Sequence, residues 1–68
     1  MKLKEYIEAT DKQLESFKGD KRLFWAGQMC TYMQMLEKAA FRLFCTYAEI
    51  AIYAKDQYVI ACEEVEND

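Results

Sequence analysis

Over residues 1–17 the apolar side chains fall at Leu3, Tyr6, Ile7, Leu14 and Phe17, with Thr10 completing the stripe. Those steps of three and four put them on one face of an α-helix, and every Lys, Asp and Glu of the stretch falls elsewhere. Lys18 and Gly19 read as the helix stop, a cation near the carbonyl end followed by a residue free to take positive φ. Asp20 is a natural N-cap for the next helix. "KGD" is therefore expected to be a tight connection between antiparallel helices.

From Lys21 onward helical spacing runs almost to the end. One stripe passes through Ala26, Cys30, Met33, Ala40, Phe44, Tyr47, Ala51, Ala54, Tyr58, Ala61 and Val65, with Glu37 its one lapse. A second, through Trp25, Met29, Tyr32, Leu36, Ala39, Leu43, Ile50 and Tyr53, lies beside it, with Thr46 filling the gap. Two unbroken stripes in one phase predict one long helix over about 20–65. "TYMQ" and "TYAE", beginning at Thr31 and Thr46, match the capping box and suggest an alternative break near Thr46. "LFCTYAE", however, holds no Gly, Pro, Asn or Asp to make a turn.

The expected fold is all-α: an antiparallel helical hairpin with a long second helix, assembling as a dimeric helical bundle. The alternative is a monomeric three-helix bundle broken near Thr46. At about 1.5 Å per residue the first helix is roughly 25 Å long and the second nearly 70 Å. Helix one then covers only the first part of its neighbour. Residues 39–54, "AAFRLFCTYAEIAIYA", carry only Arg42 and Glu49 as charges and would pack against another chain.

Composition sharpens this picture. The chain has 68 residues, 53% apolar and 15% aromatic, a heavy load where about 45–50% apolar is usual. It makes a single small domain over 1–68, with an acidic, frayed tail at 63–68. Net charge is −3, with too little Lys and Arg to neutralise a run of phosphates, so nucleic-acid binding is disfavoured. The most apolar stretch is too short and too charged to span a bilayer, and no signal peptide precedes it, so the expected location is cytoplasmic.

Candidate chemistry is sparse. There is no His, and the spacing of Cys30, Cys45 and Cys62 fits no zinc or redox pattern, so no metal or cofactor is expected. The three read as small buried or half-buried apolar residues in a reducing compartment. Met29, Met33 and Met35 are likewise read as core rather than as an adaptable groove. Ser16 is the only serine, and carboxylate pairs such as Glu5/Glu8 lie on hydrophilic faces, so no catalytic residue is assigned and the chain is not expected to be an enzyme. Gly27 beside Ala26 and Cys30 is expected to permit close helix approach.

What remains is apolar surface. The residues predict a small non-enzymatic protein–protein interaction module, an inhibitor or adaptor of the kind phages and mobile elements encode. Its candidate partner or dimer interface is Trp25, Met29, Tyr32, Leu36, Arg42, Leu43, Glu49, Ile50 and Tyr53, with Trp25 read first as packing. Lys38, Arg42, Glu49 and Asp56 form a narrow polar line, and across an antiparallel homodimer Arg42 would meet the partner's Glu49. The alternative is a hydrophobic-ligand or membrane-peripheral helical module. The partner is expected to be a protein rather than a nucleic acid or a membrane.

Overall fold

The computed structural model describes the backbone of residues 2–67 and the side chains of residues 2–66. Three helices make it up: α1 (Leu3–Ser16), α2 (Lys21–Lys38) and α3 (Phe41–Asn67). The all-α class is as the pattern predicts, and no described residue lies in a strand. Within the acidic end, residues 63–67 continue α3, and Asp68 lies outside the described residues.

The long second helix is replaced by two. α2 stops at Lys38, and Ala39 takes φ −76°, ψ 143° while its N–H donates to the Leu36 carbonyl. α3 resumes at Phe41, with the Ala40 carbonyl accepting from the Leu43 and Phe44 amides. The break therefore falls ahead of Thr46, which lies inside α3, and neither capping box caps a helix. Thr31 is also interior, its hydroxyl donating back to the Gly27 carbonyl at 2.8 Å. The junction needs no glycine because Ala39 is extended rather than left-handed, a region open to any residue.

What drives the break is burial. α3 returns antiparallel along α2, with Trp25 beside Tyr53 (5.8 Å between ring centroids) and Tyr32 beside Tyr47 (6.1 Å). Both pairs are centred on the Ala39–Ala40 junction. Ile50 and Ala54 are completely enclosed and Ala61 nearly so. Much of the segment expected to need another chain is thus covered by its own.

α1 lies along one side of this pair, antiparallel to α2 and parallel to α3. Tyr6 sits at its inner face, 2% exposed, edge-on to Tyr32 (5.1 Å) and Tyr53 (6.1 Å), with its hydroxyl donating to Gln28 Oε1 at 3.0 Å. Thr10 is buried too, but its hydroxyl is satisfied by the Tyr6 and Ile7 carbonyls of its own helix. Leu3, Leu14, Phe24 and Met29 complete the packing.

The α1–α2 connection differs in detail from expectation. α1 ends at Ser16 with Phe17 extended, and neither glycine has positive φ. Gly19 serves a different purpose: a Cβ there would lie 2.9 Å from Phe17 Cζ. The bare backbone makes room for the Phe17 ring, which lies edge-on to Phe24 at 5.4 Å. Asp20 caps α2 as predicted. Its carboxylate accepts the Arg22 amide (2.9 Å) and pairs with the Arg22 guanidinium (2.6 Å), which holds the carboxyl below its ordinary pKa.

Gly27 was expected to admit a neighbouring helix and does not, because a Cβ built there meets nothing within 4 Å. It faces outward from the middle of α2. Gly27→Ala should therefore raise stability by about 1 kcal/mol, the helix-propensity difference alone. A thermal melt should show this as a rise of roughly 4–8 °C. A fall would mean that this position is not open.

The tyrosines give the fold an alkaline limit. Burial, then the neighbouring hydroxyls of Tyr32 and Tyr53, pushes the Tyr6 pKa well above the ordinary tyrosine value. Tyr32 and Tyr53 are raised as well, chiefly by burial. Raised folded-state values mean that the native chain holds protons which the unfolded chain releases above about pH 10. Stability should thus be unaffected by these groups below about pH 10 and fall as pH rises beyond it. Urea melts at increasing alkaline pH test this, and Tyr6→Phe should flatten the decline.

Candidate functional site

A three-helix bundle of this shape has one covered and one uncovered side. α2 and α3, roughly 27 and 40 Å long at about 1.5 Å per residue, lie side by side in a molecule 42 × 21 × 15 Å in extent. α1 fills the groove on the Tyr6–Gln28 side. The groove on the opposite side has no third helix.

That open groove is built from successive turns of both helices. α2 contributes Arg22, Ala26, Met29 and Met33, which share its side away from Gln28; α3 contributes Ala51, Lys55 and Tyr58, with Ile52 at its outer edge. Two shallow cavities lie along it. One, about 260 Å³, is lined by Asp20, Arg22, Leu23, Ala26 and Tyr58. The other, about 180 Å³, is lined by Met29, Met33, Ala51, Ile52 and Lys55. Leu23 (72%), Met33 (53%) and Ile52 (60%) are large apolar side chains left in water. Arg22 stands at one end, its charge held by Asp20; Lys55 stands at the other with no ion-pair partner among the described residues.

A third cavity, about 90 Å³, lies on the covered side against Leu14, Trp25 and Ala61, with Lys21 and Glu64 at its mouth. It is a packing gap between α1 and its neighbours. Among the described residues no three Cys, Asp or Glu side chains converge on a metal position. No described helix is long and apolar enough to cross a membrane.

The nine residues named from sequence are dispersed by this fold. Trp25 and Ile50 are enclosed in the chain's own core, at 3% and 0% exposure, and offer a partner no surface. Tyr32 and Tyr53 are half-buried against Tyr6. Met29 and Leu36 are half-buried, and Met29 alone of the nine lines the open groove. Arg42, Leu43 and Glu49 are exposed on the first turns of α3.

Sequence reasoning did not pick out Leu23, Ala26, Met33, Ala51, Lys55 and Tyr58. The signal was the methionine content of α2, which was assigned to the core. Met33 lies in the groove wall, and Cys30 and Cys45 are exposed rather than buried. The reason is rotational: α2 turns Trp25 inward, which carries the stripe through Ala26, Cys30 and Met33 toward the open side.

No protein family matches this chain, and neither a curated protein nor a solved structure matches it. A functional reading therefore rests on the chemistry of the surface.

Proposed function

We propose that this chain is a non-enzymatic helical interaction module that binds another protein through the open α2–α3 groove. The observation that carries the reading is the groove itself: an apolar trough on the side opposite α1, walled by Ala26, Met29, Met33, Ala51 and Tyr58. Its occupied counterpart shows what fits, since α1 lays Leu3, Tyr6, Thr10 and Leu14 into the same helix pair. An amphipathic helix with apolar residues at i, i+3/4 and i+7 matches the spacing of the trough. Flexible methionine side chains suit such a groove because they repack around their ligand. An acidic residue at the end near Lys55 would meet its unpaired charge.

The test is cross-linking of the tagged chain in its native cells, followed by identification of the linked protein. Met33→Glu should abolish capture, because it puts a charge in the trough while leaving a well-exposed helical position. Glu8→Ala, on the far side of α1, should leave capture unchanged. Equal capture by all three chains sinks the reading. The hydrophobic-ligand and membrane-peripheral reading predicts instead a thermal shift with lipid vesicles or a hydrophobic dye, and the groove reading predicts none.

A further inference from the structure

α3 carries two apolar faces, where a helix at the edge of a bundle needs one. Ile50, Ala54 and Ala61 face the core. On the opposite side of the same helix run Phe41, Cys45, Ala48, Ile52 and Val59, spaced as a coiled-coil seam with Lys55 as the one polar interruption. Phe41 is 92% exposed and Ile52 60%. This seam lies outside the α2–α3 groove, meeting it only at Ile52 and Lys55, so it can be covered whether or not a target fills that groove.

We infer that a second copy of this chain covers the seam, the two α3 helices pairing antiparallel over residues 41–52. The charge pattern selects a copy over an unrelated helix. Arg42 and Glu49 flank the seam on one side, seven residues apart, and neither has an ion-pair partner among the described residues. A two-fold axis passing between Thr46 and Tyr47 leaves Arg42 and the partner's Glu49 two residues out of direct register, about 3 Å along the helix axes, an offset that these long side chains span, and the same holds for Glu49 and the partner's Arg42. The same register sets Phe41 against the partner's Ile52 and Cys45 against the partner's Ala48. One axis thus pairs the two most exposed apolar residues of α3 and brings the opposite charges beside the seam within reach of each other, the self-complementarity that a symmetric interface requires.

The surface area agrees. The chain exposes 5227 Å², where a folded monomer of 8.1 kDa exposes roughly 4,500 Å². The excess of roughly 700 Å² is surface that an average monomer of this size does not carry.

The experiment is light scattering on a sizing column over a hundredfold concentration range, with charge reversals at the two flanking positions. The wild-type chain should run near twice its mass. Arg42→Glu alone and Glu49→Arg alone should each weaken dimerisation by roughly tenfold or more, since each puts like charges together twice. The double reversal should restore it to within about threefold. Both sites are exposed, so circular dichroism should show all three variants folded. In a Cys30→Ser, Cys62→Ser background a short bis-maleimide should link the two Cys45 residues, which flank the axis at roughly 10 Å. A monomer at every concentration overturns the inference, and one that sediments with phosphatidylglycerol vesicles assigns the seam to a lipid surface. A dimer that ignores the single reversals, or is not restored by the double one, overturns the pairing. Target capture by Met33→Glu equal to the wild type, with the dimer intact, would count against the groove reading alone.

Discussion

Trp25→Ala should leave most of the chain unfolded at room temperature. Trp25 is 3% exposed, edge-on to Phe24 at 5.0 Å and to Tyr53 at 5.8 Å. Like Tyr6, it links the three helices, with Leu14 on α1 and Ala61 on α3 lining the cavity beside it. Truncating a buried tryptophan costs about 3–5 kcal/mol, while a single core in a chain this short supplies rarely more than about 3–5 kcal/mol in total. The cavity already beside the indole grows rather than closes, because α1 is held by few other anchors. Far-UV circular dichroism against urea measures the effect, with Trp25→Phe retaining part of the lost stability. A Trp25→Ala chain that melts like the wild type would mean that the indole is not the centre of the core.

The second large effect comes from a pair of isoleucines. Ile50 is fully enclosed, and Ile52, two residues on, faces outward at 60% exposure. Ile50→Ala should cost about 2–5 kcal/mol, toward the upper end because the site is completely buried. Ile52→Ala should change folding stability by no more than about 0.5 kcal/mol, measured where the chain is monomeric. Equal losses, or a reversed order, would mean that α3 is rotated from the orientation described. The comparison is self-controlled, since residue type, helix and size of the truncation are the same.

The helices were legible because their causes are local. The stripe through Leu3, Tyr6, Thr10 and Leu14 is the inner face of α1, and Asp20 caps α2 because its carboxylate reaches an otherwise orphaned amide. The Ala39–Ala40 break was not legible. An extended alanine leaves no mark in composition, and the stripes on either side of it keep a plausible helical phase. Its cause is the burial of Ile50 and Ala54 against residues far off in sequence, which no window of a dozen residues contains. The same non-local cause hid the groove. Whether Ala26 and Met33 face inward depends on how α2 rotates to bury Trp25, and that rotation is fixed by α1 and α3 together. Arg42 and Glu49, by contrast, stood out in the sequence as charges inside an apolar run, and the fold leaves both on the surface.

The two-alanine junction also orders events in time. Because α2 and α3 pair about Ala39–Ala40, their first contacts close only a short loop, and successive turns can zip outward from there. α1 gains its anchors only once that pairing exists, since Tyr6 needs both Tyr32 and Tyr53 in place. The expected order is therefore that the α2–α3 pair forms first and α1 docks on it last, which hydrogen exchange should show as earlier protection of α2 and α3 amides.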